Sequence, residues 1–181
     1  MARLSDYRVL VAPGLYNSDA GHWQSRWEAA NPAFERIAQD DWAEPDLAAW
    51  SARVDRVRGD ERRPTLIVAH SFGCLAAIDS VARAPDGVAG LLLVAPADPA
   101  RFGLELRVPR QPLPCPSIVI SSSDDPWMAL DNARLWAGRW HSEFVEAGAL
   151  GHINAASDLG DWAFGRARLE SLVERADPGP R

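Results

Sequence analysis

A serine on a predicted strand-to-helix turn is the sharpest chemical signal in the sequence. Ser71 lies in the string Ala69-His70-Ser71-Phe72-Gly73, which follows an apolar run and opens a segment with helical spacing. Small residues two positions before and two positions after such a serine let the strand and the helix pack closely, and the turn lifts the hydroxyl above the sheet. Ala69 departs from the usual glycine by one methyl group. The same serine also fits a plain helix N-cap, so the motif alone leaves both interpretations open.

An acid and a histidine that could complete a catalytic triad follow later in the chain. Asp125 stands immediately before a proline in the string Ser121–Pro126, and its neighbour Asp124 is the alternative acid. His152 lies in a glycine-flanked loop beyond the next apolar run. The order serine, acid, histidine is that of the α/β-hydrolases. The pattern therefore predicts Ser71 as nucleophile, His152 as general base and Asp125 as the acid that orients the imidazole. A solvent-exposed Asp-Asp-Pro turn is the structural alternative.

Short apolar runs alternate with segments of helical spacing along the whole chain. The predicted strands are Tyr7–Ala12, Phe34–Ala38, Thr65–Ala69, Gly90–Ala95, Ser117–Ser121 and Glu143–Ala147. The predicted helices are Ala20–Ala30, Leu47–Arg58, Phe72–Ala84, Trp127–Trp140 and Asp161–Ala176. This alternation predicts a parallel α/β sheet with right-handed crossovers. We expect a single domain over residues 1–176, followed by a disordered tail at 177–181.

Composition and charge exclude several classes of function. The chain has 181 residues and a net charge of −6, with no basic stripe, so we expect no nucleic-acid partner. All 19 basic residues are arginine, which excludes Schiff-base chemistry and the P-loop lysine. The two cysteines, Cys74 and Cys115, make neither a disulfide framework nor a zinc site, and we expect no metal or cofactor. Without a signal-peptide or membrane-length apolar run, the expected location is cytoplasmic, away from membranes.

Several strings resemble a known family. The chain is similar, from about Val9 to Trp162, to the small bacterial α/β-hydrolases grouped with retinoblastoma-binding protein nine. Beyond the three triad residues, the strings that carry this resemblance are Pro13-Gly14, Gly21-His22-Trp23-Gln24, Trp42-Ala43-Glu44-Pro45, Val94–Pro99 and Gly151–Ala155. The resemblance implies a three-layer sandwich around a reduced α/β-hydrolase sheet of about six mostly parallel strands. It also implies a serine hydrolase that cleaves a small ester or a short peptide amide.

Backbone groups near the elbow could form an oxyanion hole. The N–H of Phe72 lies at the predicted helix N-terminus, where it can stabilise a developing negative charge. A second N–H is expected from the loop after the first strand, at Leu15, with Gly14 letting the backbone approach closely. A plain strand-to-helix turn is the alternative for this loop. It lacks the HGGG string of many lipases, which weakens a lipase assignment.

The remaining aromatic and polar residues admit two interpretations. His22 either lines the substrate pocket or packs its helix on the sheet, and Trp127, just after the acid loop, is a candidate pocket wall. His70 is expected to pack beside the elbow, and Cys74, one helical turn beyond Ser71, is expected to be a small buried apolar residue. Asp98 and Arg101 begin a proline-rich, cap-like insertion, where solvent exposure is favoured over substrate contact.

Two other functions fit parts of the sequence. One is a catalytically idle interaction protein that keeps the hydrolase fold. The other is a flavodoxin-like nucleotide-binding domain, which would need phosphate-cradling glycines after the first strand, where only Gly14 is available.

Overall fold

Six strands form one parallel sheet in the computed structural model, which describes residues 2–59 and 63–176. The strands are β1 Arg8–Ala12, β2 Phe34–Arg36, β3 Thr65–His70, β4 Val88–Val94, β5 Ser117–Ser121 and β6 Glu143–Glu146. Their order is β2-β1-β3-β4-β5-β6, and every neighbouring pair is parallel. The inner strands are almost wholly apolar because both of their faces are covered.

Helices cover both faces of the sheet. The α-helices are α1 Trp23–Ala30, α2 Leu47–Arg58, α3 Phe72–Arg83, α4 Leu130–Trp140 and α5 Ala163–Ala176. Alternate strand residues point to opposite faces, so Ile67 joins a core with α2, α3 and α4, while its neighbours Leu66 and Val68 join a core with α1 and α5. This arrangement confirms the predicted three-layer α/β fold, with a sheet that is parallel throughout.

The bounds differ from the predictions at a few element ends. Helix α1 starts at Trp23 because the side chain of His22 caps it by accepting from the Gln24 N–H. Helix α4 starts at Leu130 because residues 127–129 stay in a loop, where the Trp127 N–H donates to Asp125. Strand β4 begins two residues earlier than predicted, at Val88.

The carboxyl ends of the strands bring five connections to one edge of the sheet. The loops after β1, β3, β4, β5 and β6 meet there, and the connection after β4 carries a 3₁₀ helix at Pro99–Phe102. Open α/β sheets build their sites at this edge. Within residues 2–59 and 63–176, no helix has the length and apolar character needed to cross a bilayer. The predicted tail at 177–181 lies outside the described residues, and the single-domain boundary stays a prediction.

Candidate active site

Ser71 sits on a strained turn between β3 and α3. Its backbone has φ 54° and ψ −123°, a conformation that costs a non-glycine residue about 1–3 kcal/mol. The turn is held by the Ser71 N–H, which donates to the Val94 carbonyl at 3.1 Å. A Cβ at Gly73 would lie 2.4 Å from the carbonyl oxygens of Ala12 and Pro13. Only glycine lets α3 approach the end of β1 this closely, which explains the small residue required after the serine.

A chain of hydrogen bonds joins Ser71, His152 and Asp125. The His152 Nε2 lies 2.9 Å from the Ser71 Oγ, and the His152 Nδ1 lies 2.9 Å and 3.0 Å from the two Asp125 carboxylate oxygens. The side chains of His152 and Asp125 are 12% and 2% exposed. Since a carboxylate only accepts, Nδ1 carries the proton and Nε2 is free to accept from the Ser71 hydroxyl. The arrangement can deprotonate the serine and stabilise the resulting imidazolium.

Asp124, the alternative acid, contacts backbone instead of the imidazole. Its Oδ1 accepts from the Ser122 hydroxyl at 2.7 Å and from the Gly151 N–H at 2.8 Å. The pKa of Asp124 is held below its usual value first by the Ser122 hydroxyl and then by the Gly151 N–H. The Ser122 Oγ also accepts from the Leu150 N–H at 2.8 Å. These bonds tie the loop after β5 to the loop that carries His152.

Two buried side chains hold the backbone of the histidine loop from the other side. The His70 Nε2 donates to the His152 carbonyl at 2.9 Å, and the Trp23 Nε1 donates to the Ile153 carbonyl at 2.8 Å. Ile153 has φ 49°, in the left-handed region that a β-branched residue rarely adopts. Burial lowers the pKa of His70 well below its usual value, so the ring is neutral. His70 therefore packs beside the elbow, as expected. It also bonds to His152, the residue directly before the left-handed Ile153.

His22 continues this cluster of imidazoles away from the serine. The ring centroids of His22 and His70 are 4.8 Å apart, and those of His70 and His152 are 4.9 Å apart. His22 is 3% exposed, its Nδ1 accepts from the Gln24 N–H, and burial lowers its pKa to about 4. Protonation of Nδ1 would also break the cap. The Nε2 has no hydrogen-bond partner among the described residues. His22 thus packs its helix and also lines a cavity beside Ser71, while its contact with substrate stays a prediction.

Two backbone N–H groups beside Ser71 donate to no acceptor in residues 2–59 and 63–176. They belong to Phe72, the first residue of α3, and to Leu15. A Cβ at Gly14 would lie 2.7 Å from the Ser71 Cβ and 3.3 Å from the Ser71 Oγ. The glycine therefore brings the loop after β1 directly against the serine.

Two cavities flank the Ser71–His152 pair. We call the first, of about 410 Å³, the polar cavity. It is lined by Asn17, Asp19, His22, His70, Ala155 and Ala156. We call the second, of about 370 Å³, the aromatic cavity. It is lined by Ala97, Asp98, Arg101, Phe102 and Trp127. Both also include Leu15, Tyr16, Ser71, His152 and Asn154, so they form one groove across the serine.

The pocket residues predicted from the sequence are divided between the two cavities, with His22 in the polar cavity and Trp127 in the aromatic cavity. Trp127 lines the aromatic cavity, as do Asp98 and Arg101, and Arg101 is exposed to solvent, as expected. Cys74 is fully buried under the elbow, as expected. Sequence reasoning missed Tyr16, Phe102 and Asn154, because loop residues without periodicity carry no signal of the direction in which they point. In the part of the chain that the structure describes, no three potential metal ligands cluster.

Comparisons with known proteins gave a family match and several structural matches. A family model described as serine hydrolase matches residues 9–171. A YdeN-like hydrolase from Pectobacterium atrosepticum is 39% identical and superposes with a TM-score of 0.92, covering 96% of this chain and 94% of that one. The ydeN gene product of B. subtilis is 18% identical, with a TM-score of 0.76 over 93% of this chain and 99% of that one.

More distant solved structures share the fold alone. A thermophilic esterase from Thermogutta terrifontis is 16% identical, with a TM-score of 0.66 over 94% of this chain and 91% of that one. A comparison with curated proteins gave no match. The family match favours a hydrolase over the flavodoxin-like nucleotide-binding alternative. Because the family model spans nearly the whole described chain, the protein belongs to the serine hydrolase family and is a hydrolytic enzyme with the α/β-hydrolase fold.

Proposed function

We propose that this enzyme hydrolyses a small ester or a short peptide amide through a covalent acyl-enzyme on Ser71. His152 takes the hydroxyl proton while the Ser71 Oγ forms a bond to the substrate carbonyl carbon. The tetrahedral adduct then collapses, and His152 returns the proton to the departing alcohol or amine. A water molecule, deprotonated by His152, then forms a bond to the acyl carbon. The bond from that carbon to the Ser71 Oγ breaks, His152 returns the proton to this oxygen, and the acid is released.

The observation that carries the proposal is the continuous hydrogen-bonded chain from the Ser71 Oγ through His152 to Asp125, with distances of 2.9 Å on both sides of the ring. These distances lie within the range over which a base can take a proton from a nucleophile. The nearly complete burial of the Asp125 side chain keeps water from competing for its carboxylate. In this role Asp125 fixes the tautomer and stabilises the imidazolium.

The N–H groups of Phe72 and Leu15 are proposed to bind the oxyanion. Each lies beside Ser71 and lacks a protein acceptor in the described residues, so each is free to donate to the negatively charged oxygen of the adduct. The close approach of Gly14 to Ser71 supports this role for the neighbouring Leu15. Loss of one such donor in other enzymes costs about 10²–10³-fold in kcat.

The size of the groove favours a small substrate. Cavities of about 410 and 370 Å³ on the two sides of the serine suit short acyl and alcohol or amine groups better than a long lipid chain. We also propose kinship with the hydrolases grouped with retinoblastoma-binding protein nine, on the strings quoted above. That kinship predicts the same serine chemistry and leaves the natural substrate open.

The direct test is a pair of serine variants assayed on short-chain esters and aminoacyl amides. Ser71→Ala should lower kcat by about 10⁴-fold or more, because the nucleophile is lost. Ser123→Ala is the matched control, since Ser123 is exposed on the acid loop and is not among the residues that line either cavity, so its kcat should stay within twofold of wild type. Full activity of Ser71→Ala on a substrate that the wild type cleaves would overturn the proposal.

A further inference from the structure

An exposed indole stands beside the reactive serine. Trp127 is 52% exposed and lines the aromatic cavity together with Ser71 and His152. Tyr16, which is 78% exposed, lines the same cavity from the loop after β1. Large aromatic side chains left in water next to a nucleophile retain apolar surface that a bound molecule can cover. The aromatic cavity therefore has the composition of a substrate subsite.

Arg101 holds the indole from the cap-like insertion. Its guanidinium carbon lies 5.4 Å from the centre of the Trp127 ring, and its Nη2 donates to the Pro126 carbonyl at 3.1 Å. A guanidinium on an aromatic ring is attracted by the ring's π electrons. This pair joins the insertion to the acid loop and fixes the orientation of the indole.

The opposite wall is anchored to the elbow itself. The Phe102 ring contacts Phe72 edge to face, with centroids 5.1 Å apart. Asp98 caps the 3₁₀ helix that carries Phe102 by accepting from the Ala100 N–H at 3.0 Å. The cavity walls are thus held before any substrate arrives, which lowers the entropy cost of binding a rigid group.

We propose that the aromatic cavity binds a planar, uncharged aromatic ring of the substrate, stacked on Trp127. The enzyme should therefore prefer esters or amides that carry such a ring near the carbonyl, here called aryl substrates. This inference rests on the proposed function, because it places the ring next to an ester or amide carbonyl at Ser71. A flat ring matches the face of the indole, and aromatic pairs gain about 0.5–1.5 kcal/mol beyond the area they bury. The lining carries one carboxylate, on Asp98, and one guanidinium, on Arg101, so the two charges offset each other and favour an uncharged ring.

The experiment uses two pairs of esters. Within each pair, one ester carries a planar phenyl ring and the other carries a puckered cyclohexyl ring at the same position. Methyl phenylacetate and methyl cyclohexylacetate place the ring on the acyl side, whereas benzyl acetate and cyclohexylmethyl acetate place it on the alcohol side. In the pair whose ring reaches the aromatic cavity, on either the acyl or the alcohol side, the wild-type kcat/KM should be about fivefold higher for the aryl ester than for its cyclohexyl partner. This factor is within the range that ring stacking supplies. In Trp127→Ala, this preference should fall to within twofold of parity, mainly through a higher KM for the aryl ester.

Two variants separate stacking from general damage. Trp127→Phe should keep most of the preference, because a smaller ring still stacks. Leu135→Ala removes an equally exposed apolar side chain on α4, away from the groove, and should leave the preference unchanged. The Trp127 N–H that donates to Asp125 belongs to the backbone, so Trp127→Ala leaves that bond available.

The outcomes distinguish this inference from the proposed function. Equal rates within both pairs, an unchanged aryl preference in Trp127→Ala, or no turnover of any of the four esters would overturn the aromatic subsite. Labelling of the same wild-type preparation by a fluorophosphonate probe, and its loss in Ser71→Ala, reports separately on the nucleophile. A protein that labels at Ser71 but shows no aryl preference keeps the proposed function and loses the subsite.

Discussion

The two cavities beside Ser71 are built in opposite ways. The polar cavity rests on buried side chains that bond to one another or to backbone, such as His70 and His22, and its walls belong to the loops that position His152. The aromatic cavity presents an exposed ring of its own, that of Trp127, whereas the exposed Tyr16 lines both cavities. The comparison suggests that the polar side fixes the geometry of the reaction, while the aromatic side determines which substrates bind. Substitutions on the first side should alter kcat or stability, and those on the second should alter KM.

After the loss of Ser71 itself, the largest expected effect comes from the acid loop. Asp125→Asn should lower kcat by about 10³-fold or more for every substrate, because an amide cannot hold the imidazole in the same tautomer or stabilise its cation. Asp124→Asn is the matched control, since its side-chain oxygen can still accept from Ser122 and Gly151. Its kcat should fall by less than tenfold. Steady-state kinetics that show equal losses in the two variants would contradict the different roles of the two adjacent acids.

The buried histidine of the polar cavity should make stability depend on pH. The pKa of His22 is about 4 in the folded protein and about 6.5 in the unfolded chain, so the folded state disfavours the protonated ring. The stability that depends on a neutral His22 ring is fully present above about pH 6.5, and it is lost as the pH falls towards 4. The shift corresponds to about 3 kcal/mol of unfolding free energy.

A urea titration at several pH values measures this contribution. His22→Asn keeps an oxygen that can cap α1, and it should reduce the loss of unfolding free energy between pH 7 and pH 4. His141→Asn, at an exposed position after α4, makes the same change of residue type outside the cavity and is the matched control. A pH dependence in His22→Asn as steep as that of wild type would show that another group is responsible.

A smaller effect is expected where His70 contacts the histidine loop. His70→Phe keeps a ring but removes the donor to the His152 carbonyl, and we expect kcat to fall about tenfold with little change in KM. His70→Gln can still donate from its amide and should recover most of that loss. If both variants lose the same activity, packing rather than the hydrogen bond accounts for the position.

Much of this architecture follows from local sequence patterns. Short apolar runs separated by helical segments predicted the six strands and five α-helices of the described residues, because burial on both faces leaves a clear signature. They did not predict the 3₁₀ helix at Pro99–Phe102. The elbow around Ser71 was equally visible, since a sharp strand-to-helix turn restricts its neighbours to small residues. The order of the three polar residues then predicted a triad, and the structure brings these residues together.

The features of the site that could not be predicted from the sequence depend on contacts between distant loops. Asp124 and Asp125 are chemically identical neighbours, and only the three-dimensional path of the chain directs one towards Gly151 and the other towards His152. The bond from His70 to the His152 carbonyl spans 82 positions. The place of Arg101 over Trp127 is likewise set by how the insertion folds back across the edge of the sheet.

Mass spectrometry of the protein after reaction with a fluorophosphonate tests the central claim most directly. Such a reagent loses fluoride and forms a stable phosphorus–oxygen bond with an activated serine, so an adduct on Ser71 reports on both the hydroxyl and its base. We expect a single adduct on Ser71, absent from Ser71→Ala and formed much more slowly in Asp125→Asn. An adduct on a different residue, or undiminished modification of Ser71→Ala, would contradict the account.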